Sequence, residues 1–312
     1  MVDLSLSENA KNWISDLEEG DTQAKKKALF NLGEMNVKAA VPQIIDLLKN
    51  DDDKVVRNNA ARALGKIKDK SALNALCEAL HDEDYYVRQN AAWALGKLKD
   101  KRAIEPLLRL IKGGGAKVYK SSGAQRDVDQ EQVTDTLKEE GMKYHDVQIK
   151  AIKALGDLGD EKAVGALIAE YDDDEAQIRC AISLALGKIK SKKATSALIR
   201  ALSDPLWYVR RDAAIALGKI KDARAIDALI NKLNDKYLDV AEKAARALSN
   251  IGKVAVAKSF LLKPKNEHVK KLIKNNFKGK KELFENLMKA ADLEKDEQKR
   301  AQLKDKIKQI LG

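Results

Sequence analysis

The chain has 312 residues, more than one globular core usually holds, and combines 34% charged with only 4% aromatic residues. This composition is typical of a long helical array with solvated faces and argues against a single compact core. The net charge of +11 is unevenly spread, because residues 253–312 contain 17 basic and 8 acidic side chains and the rest of the chain is nearly neutral.

No apolar run has the length of a signal sequence or of a membrane span, so we expect a cytoplasmic protein that makes no membrane contact. The two cysteines, Cys77 and Cys180, lie far apart in the chain and on different kinds of predicted helix. We expect both to be reduced thiols that pack as small apolar groups.

The first predicted element covers residues 5–19. Ser5 and Glu8 have the spacing of a capping box, which favours a helix start at this point. The apolar residues that follow recur at helical spacing: Ala10, Trp13, Ile14 and Leu17. The sequence therefore predicts an N-terminal capping helix that covers the open end of the array.

One motif recurs along the rest of the chain. It stands as VRNNAARALGKIKD from Val56, VRQNAAWALGKLKD from Val87, IRCAISLALGKIKS from Ile178 and VRRDAAIALGKIKD from Val209. Its glycine recurs at steps of 32, 31, 60, 31 and 31 residues, with a serine one period later: Gly33, Gly65, Gly96, Gly156, Gly187, Gly218 and Ser249. A fixed period of this length predicts stacked supersecondary units.

Each copy predicts a pair of amphipathic helices. The apolar positions of the first helix, helix A, share one face: Val56, Ala60, Ala63, Leu64 and Ile67 in the second copy. A second helix follows each turn, with an N-cap residue before it: Asp69, Asp100, Asp160, Ser191 and Asp222. The glycine is expected just past helix A, in a left-handed conformation. Since one pair cannot bury its apolar face alone, the pairs must stack.

The string D-x-x-V-R-x-x-A-A-x-A-L-G-K-I-K-D-x-x-A resembles the HEAT-like repeat of phycobilisome lyase subunits over residues 22–262. The resemblance implies an all-α fold, a right-handed α-solenoid of HEAT-like helix pairs. Because the matched residues build the repeat, it implies no particular activity. The expected domains are the solenoid over 1–262, with an insertion over 113–144, and a degenerate repeat with a basic C-terminal helical cap over 263–312.

The period is interrupted after the third pair. Residues 113–144 open with three glycines and far exceed a normal connection, and a loop of this length is usually functional or disordered. One short helix is predicted inside it, over residues 129–140. The chain rejoins the period at Val147, and after the seventh pair we expect a degenerate eighth over 266–293 and a last charged helix over 294–311.

Four arginines follow the first apolar residue of helix A: Arg57, Arg88, Arg179 and Arg210. Acidic residues recur just upstream of them: Asp53, Asp84, Glu175 and Asp204. We expect a structural ladder of ion pairs and carbonyl contacts between adjacent repeats, in preference to a row of anion-binding sites.

Two further sets of residues are candidates for binding a partner. Aromatic residues stand at the start of helix A: Tyr85, Tyr86, Trp207, Tyr208 and Tyr237. They suit contact with a partner segment or packing between repeats, and base stacking stays open. The second helices, which line the inner face of such solenoids, have outward positions of mixed sign: Asn74, Glu78, Glu105, Arg109, Gly165, Ala169, Ser196, Arg200, Asp227 and Asn231. A duplex-binding groove would be richer in Lys and Arg, so this row, and within it Glu78, Arg109, Arg200 and Asn231, favours a protein or peptide.

No pattern in the sequence favours catalysis. His81, His145 and His268 lack the paired His-Glu motifs with which some HEAT-repeat enzymes hold iron, and no CxxC or HExxH spacing is present. Glycines 113–115 lack the spacing of a phosphate-binding loop, and no Ser, His and Asp grouping suggests a nucleophile. We therefore expect no catalytic site, no metal and no cofactor.

The basic C-terminal residues have two interpretations. Lysine-rich helices with interleaved Leu283, Phe284, Leu287 and Met288 suit an acidic partner or RNA, or form a solvated cap, which we prefer. The sequence predicts a non-catalytic protein-binding scaffold or adaptor that uses the concave face, the aromatic edge and the insertion. Nucleic-acid binding through residues 263–312 is one alternative, and an assembly factor or lyase-type subunit acting on a cofactor-bearing protein, implied by the resemblance, is another.

Overall fold

The structure, a computed structural model, describes residues 7–112, 145–173, 175–261, 266–277, 279–294 and 296–311. The elements in these ranges are helices, and no strand occurs among them. The chain divides into two compact units, Met1–Ala185 and Leu186–Gly312. The all-α solenoid of helix pairs is confirmed. The domain boundary expected at residue 262 stays a prediction, and the insertion over 113–144 lies outside the described residues.

The first unit consists of a capping helix and successive helix pairs. Its helices are α1 (Glu8–Glu19), α2 (Thr22–Glu34), α3 (Val41–Asn50), α4 (Lys54–Ile67), α5 (Leu73–Glu78), α6 (Tyr85–Leu98), α7 (Ile104–Lys112), α8 (145–158), α9 (Val164–Ala169) and α10 (Ala176–Ile189), and the unit boundary falls inside α10. In α1, Ser7 is the N-cap and accepts the Ala10 amide at 3.3 Å, whereas Ser5 lies outside the described residues. Leu17 of α1 is buried, and α1 contacts α2 and α3, as expected of a cap.

The second unit continues with the same pairing and ends in three charged helices. Its helices after α10 are α11 (Thr195–Ala201), α12 (Trp207–Ile220), α13 (Ile226–Asn231), α14 (Leu238–Ile251), α15 (Lys253–Leu261), α16 (Glu267–Lys274), α17 (Lys280–Asp292) and α18 (Glu297–Leu311). Helices α15, α17 and α18 share a small core that contains Ala257, Leu283, Leu287 and Ile307. The apolar residues of the basic segment are therefore used partly for packing.

The turn between the helices of a pair is built as the sequence predicts. In the second pair, Asp69 accepts the Ser71 amide at 2.9 Å and starts a short 3-10 turn that leads into α5. Asp100, Asp160, Ser191 and Asp222 cap the same turn in other pairs. The side chain and amide of Arg102 lower the pKa of Asp100 to about 2. The predicted N-caps are confirmed.

The glycine of the motif does not end helix A, and that prediction is wrong. Gly65, Gly96 and Gly218 lie inside their helices, and the left-handed residue comes three positions later, at Lys68 in the second pair. A Cβ atom on Gly218 would lie 2.8 Å from the Cα atom of Ala247 in the next helix A. The glycine is needed because successive helices approach too closely for any side chain.

The same contact carries the stack past the insertion. A Cβ atom on Gly96 of α6 would lie 2.8 Å from the Cα atom of Ala154 in α8, although residues 113–144 separate the two pairs in sequence. Helix α8 therefore packs on α6 as any next helix A would. The third and fourth pairs are direct neighbours within the first unit.

Replacing Gly156 by alanine is expected to lower the free energy of unfolding by about 1 to 3 kcal/mol, because the new Cβ atom would lie 2.8 Å from the Cα atom of Ala185. Alanine normally stabilises a helix relative to glycine by up to about 1 kcal/mol. Gly165, in α9, has no atom within 4 Å of a Cβ position, so Gly165→Ala is the matched control and should be neutral or stabilising. Denaturant unfolding followed by circular dichroism measures both. Equal effects of the same sign would contradict this packing.

Candidate protein-binding surface

The second unit exposes a group of apolar and aromatic side chains at the starts of α12 and α14. Trp207 stacks on Tyr237, with ring centroids 5.6 Å apart and planes at 23°, and meets Tyr208 edge-on at 5.8 Å. Leu206 and Leu238 are 38% and 46% exposed beside them. We call these five residues the aromatic patch.

Cations lie against the rings of the aromatic patch. The guanidinium carbon of Arg211 is 5.3 Å from the centroid of Trp207, and the amino group of Lys236 is 5.1 Å from that of Tyr237. Cations at this distance from an aromatic face attract it electrostatically. The rings are therefore held in position at the surface by contacts within the second unit.

Helix-start geometry keeps these side chains out of the core. The Asp204 carboxylate accepts the amide of Leu206 at 2.9 Å, and the Asp235 carboxylate accepts the amide of Tyr237 at 3.1 Å. The buried stripe of α12 begins only at Val209, which is fully buried. Residues between the capping acid and the first buried position therefore remain at the surface.

The first unit has a smaller aromatic pair at the start of α6. The rings of Tyr85 and Tyr86 are 4.5 Å apart. Tyr85 donates from its hydroxyl to Asp146 at 3.1 Å and accepts from Gln89 at 3.3 Å, while Tyr86 is 57% exposed. Burial, together with the acceptor Asp146, raises the pKa of Tyr85. Tyr85 thus joins α6 to α8, and Tyr86 is the ring available at the surface.

The four arginines of the predicted ladder share one contact. Each donates to backbone carbonyls in the turn before its own helix, at 2.7–3.1 Å: Arg57 to Asp51 and Asp52, Arg88 to Asp82 and Glu83, Arg179 to Asp173, and Arg210 to Asp204 and Pro205. The guanidinium groups therefore tie each turn to the helix that follows it.

Arg57 and Arg210 also reach the next turn. Arg57 donates through Nε to Asp82 at 2.9 Å, and Arg210 donates through Nε and Nη2 to Asp235, both at 2.8 Å. The hydrogen bond to Asp82 raises the pKa of Arg57. These are bidentate or forked contacts between adjacent repeats, which is the geometry that suits guanidinium and carboxylate groups best.

Two of the acids just upstream of the arginines, Asp53 and Asp84, have another role than the one the sequence suggests. Asp53 accepts the amide of Val55 at 2.8 Å and the hydroxyl of Thr22 at 3.0 Å, which together hold the pKa of its carboxyl below the usual value. Asp84 accepts the amides of Tyr86 and Val87. Asp53 and Asp84 therefore cap helix A, and the ion pairs of Arg57 and Arg210 form with acids of the following turn.

The outward row of the second helices is exposed as expected. All ten positions are open to solvent: Asn74, Glu78, Glu105, Arg109, Gly165, Ala169, Ser196, Arg200, Asp227 and Asn231. Several of the charges are paired locally, as between Glu78 and Lys49 at 2.7 Å. Within each unit the row is therefore polar and mixed in sign, and its role in partner binding stays a prediction.

The described residues contain no group of three His, Cys, Asp or Glu side chains that is arranged to hold a metal ion. His145 lies 3.8 Å from Glu175 and His268 lies 3.1 Å from Glu242. Cys77 and Cys180 are half-buried thiols, and burial raises the pKa of Cys77. None of the helices in the described ranges combines the length and the apolar character that a bilayer span requires.

Neither the two leucines of the aromatic patch nor the two cations that lie against its rings were expected from the sequence. Leu206 lies in the turn before α12 and Leu238 is the first residue of α14, both outside the buried stripe of their helices, so helical periodicity gives them no role. Arg211 and Lys236 resemble ordinary surface charges in the sequence. The available signal was the repeated pairing of a leucine with an aromatic residue at the start of two consecutive A helices.

Three solved structures are similar to this chain in fold. The complex of CpcE and CpcF of phycocyanin lyase from Nostoc sp. PCC7120 has 24% identity and a TM-score of 0.49, covering 89% of this chain and 98% of that one. Human deoxyhypusine hydroxylase in complex with glycerol has 22% identity, coverage of 78% and 96%, and a TM-score of 0.32. A designed armadillo repeat protein in complex with the peptide (KR)4 has 17% identity, coverage of 79% and 100%, and a TM-score of 0.41.

No curated protein matches the chain. The family model described as HEAT repeats matches residues 10–84, 42–125, 143–205 and 195–270, which together contain the capping helix and the successive helix pairs. The resemblance carried by the recurring motif is confirmed by these matches. Because they cover most of its length, the chain belongs to the HEAT repeat family.

Proposed function

We propose that the chain is a non-catalytic, cytoplasmic scaffold or adaptor that binds another protein, with the aromatic patch of the second unit as its principal contact. The observation that supports this most directly is the exposure of Leu206, Tyr237 and Leu238, between 38% and 46%, beside the stacked Trp207. A soluble protein seldom exposes adjoining large apolar side chains unless they meet a partner.

The composition of the patch fits a protein partner. Aromatic residues and arginine are enriched at protein interfaces and dominate their binding energy, whereas lysine, glutamate and aspartate are depleted there. Trp207, Tyr208 and Tyr237 are rigid side chains, and Arg211 already fixes one ring. Little conformational freedom is lost when such a surface binds, because its side chains are ordered beforehand.

Polar side chains on the second helices offer a further surface for partner binding within each unit. Arg200 and Asn231 are exposed on the second helices of the second unit, and Glu78 and Arg109 occupy the same positions in the first unit. We assign these residues to specificity, together with Tyr85 and Tyr86 and the insertion over 113–144.

A peptide-display selection tests the proposal. Peptides selected against the wild-type chain are compared for affinity, by fluorescence anisotropy, with a triple variant of the patch, Leu206→Ser, Tyr237→Ser and Leu238→Ser. The matched control replaces three exposed apolar residues elsewhere, Phe30→Ser, Met35→Ser and Leu293→Ser, which are 52% to 68% exposed.

The selected peptides should bind the control as they bind the wild type and should lose about 2 kcal/mol or more with the patch variant. Circular dichroism establishes that both variants are folded. Equal affinity for the patch variant and the wild type would contradict the proposal. A chain without residues 113–144 tests the insertion separately. Unchanged affinity of this chain for the selected peptides would contradict the role of the insertion in specificity and leave the role of the patch intact.

A further inference from the structure

A second surface lies at the turns that follow helix A, and its charge is unlike that of the aromatic patch. Four lysines end these helices in the left-handed conformation, with φ between 52° and 61°: Lys68 and Lys99 in the first unit, Lys190 and Lys221 in the second. All four side chains are exposed. They belong to two clusters, which we call the lysine edges: Lys66, Lys68, Lys70, Lys97, Lys99 and Lys101 in the first unit, and Lys188, Lys190, Lys192, Lys193, Lys219 and Lys221 in the second.

Backbone conformation does not explain the choice of lysine. Left-handed positions at helix ends favour glycine and asparagine, and the equivalent positions of other pairs hold Gly159 and Asn36. A lysine in the last helical turn stabilises the helix dipole, but Lys66 and Lys97 already stand there. A further lysine just beyond the helix, at a conformation that disfavours it, is consistent with selection for the charge itself.

Acidic side chains among the lysines are turned away from the surface. Asp69, Asp100 and Asp222 direct their carboxylates to the amides of the following 3-10 turn. In the first unit, ion pairs engage the outermost lysines, Lys66 with Glu34 and Lys101 with Asp160, both at 2.9 Å. Lys68, Lys70, Lys97 and Lys99 lie between these two lysines and keep the edge positively charged. The edge ends at the fourth helix pair, where the corresponding turn carries acidic residues instead.

The lysines of one edge are neighbours in space. Gly65 of α4 contacts Ala94 of α6, so the two helices approach closely, near the lower end of the ~8–10 Å range of helix packing. In the second unit, Arg224 donates to the backbone carbonyl of Lys192 at 2.7 Å, which joins consecutive turns directly. Each edge therefore presents several ammonium groups to one side of its unit.

We propose that the lysine edges bind the phosphodiester backbone of a nucleic acid duplex, independently of the function proposed for the aromatic patch. Lysine is depleted at protein interfaces, and as a point charge it is a common binder of phosphate oxygens. The two arginines at these turns, Arg102 and Arg224, are already paired with Asp100 and Asp222.

The surroundings of the edges argue against other polyanions. None of the exposed large apolar side chains of the described residues lies in the turns that carry the lysines, so nothing there would insert into a lipid surface or bury against a protein. Trp93 of α6 is half-buried, with the amino group of Lys97 5.7 Å from its ring centroid, and the described residues of these turns hold no exposed ring on which an unpaired base would stack, which favours a duplex over a single strand.

Fluorescence anisotropy tests this proposal with three probes: a labelled duplex of about 20 base pairs, one of its strands alone, and a polyglutamate peptide. The edge variant carries Lys68→Gly, Lys99→Gly, Lys190→Gly and Lys221→Gly. The matched control, the tail variant, replaces four exposed lysines of the basic helices by glutamine: Lys271→Gln, Lys274→Gln, Lys289→Gln and Lys299→Gln. Both variants remove the same charge, so their comparison separates position from net charge.

The wild type should bind the duplex more tightly than either other probe, and the edge variant should bind it about tenfold or more weakly. For the edge variant, the plot of the logarithm of the binding constant against the logarithm of the salt concentration should be less steep. The slope should fall by about 0.9 for each phosphate that the variant no longer neutralises. The tail variant should bind like the wild type. Because glycine suits the left-handed conformation, the melting temperature of the edge variant should not fall, and a set of Lys→Asn replacements at the same positions repeats the test.

Three results would overturn the proposal. The first is an edge variant that binds the duplex as tightly as the wild type, and the second is a tail variant whose binding is weakened to the same extent. The third is displacement of the duplex from the same lysines by polyglutamate, which would identify an acidic protein as the partner of the edges instead.

Discussion

Replacement of Arg210 by methionine is expected to lower the free energy of unfolding by about 3 to 5 kcal/mol, because it removes one partner of a buried ion pair. Arg210 is 5% exposed and donates twice to Asp235 at 2.8 Å and to the carbonyls of Asp204 and Pro205. The variant leaves the Asp235 carboxylate and two carbonyls without these donors in a site that admits little water.

The effect should diminish as the pH falls. Burial raises the pKa of Asp235, but the hydrogen bonds from Arg210 and from the Tyr237 amide outweigh it, so the pKa lies below its usual value. In the wild type this carboxylate therefore stabilises the fold above its unfolded pKa, and the contribution is lost as the pH falls. Without Arg210, the burial of Asp235 raises its pKa, so the difference in stability between the variant and the wild type should be largest at neutral pH.

Denaturant unfolding of both proteins at pH 7 and at about pH 4 measures this difference. Arg246→Met, an exposed arginine on α14, is the control and should change the stability by less than about 0.5 kcal/mol. A double variant, Arg210→Met with Asp235→Leu, should recover part of the stability, because no buried charge then remains unpaired. A similar small effect for Arg210→Met and Arg246→Met would show that the ladder is not a stabilising element.

Replacement of Leu217 by alanine should cost about 2 to 5 kcal/mol. Leu217 is fully buried in α12, and α12 contacts both α11 and α14. The cavity left by the substitution would therefore lie where adjacent repeats pack together. Because each repeat of a solenoid is stabilised by its neighbours, the destabilisation should extend to the adjoining pair.

Hydrogen exchange locates the effect of Leu217→Ala. Amides of α12 and α14 should exchange faster than in the wild type, while those of the distant pairs of the first unit should be unchanged. Leu293→Ala, at a leucine that is 68% exposed, is the control and should alter neither exchange nor stability beyond about 0.5 kcal/mol. Equal melting shifts for the two variants would mean that the assigned register of α12 is wrong.

Local periodic features of this chain could be predicted from its sequence. The stripe from Val56 to Ile67 is buried because helical spacing alone sets the face of an isolated helix, and Asp69 caps its turn because an N-cap acts on amides two or three residues away. Both signals are complete within one repeat, so no knowledge of the stack is needed to interpret them.

Features that arise between repeats could not be predicted in the same way. Gly65 stands close to the end of its helix and therefore resembles a C-terminal cap, but the helix continues to Ile67 and the glycine serves the approach of Ala94. Likewise, Asp53 is nearer to Arg57 in sequence, yet Asp82 of the next turn is the partner. In each case the contact depends on the rise from one pair to the next, which sequence spacing does not specify.

The candidate site shows the same division. The sequence places Trp207 and Tyr237 at helix starts, but only the stacking of successive pairs brings residues thirty positions apart into ring contact. Leu206 and Leu238 complete the patch from the turn before α12 and from the first position of α14, where apolar residues have no periodic signature. A surface formed by turns of adjacent repeats is therefore visible only once the pairs are assembled.

The glycine contacts have a consequence for how a protein of this kind changes length. Gly156, Gly187 and Gly218 each meet an alanine at the same position of the helix that follows, so any of these pairs presents the same docking face to its successor. A duplication or deletion of one whole period recreates an existing contact and requires no compensating substitution. Ser249 ends the series, which leaves the interior of the array as the place where evolution can add or remove copies.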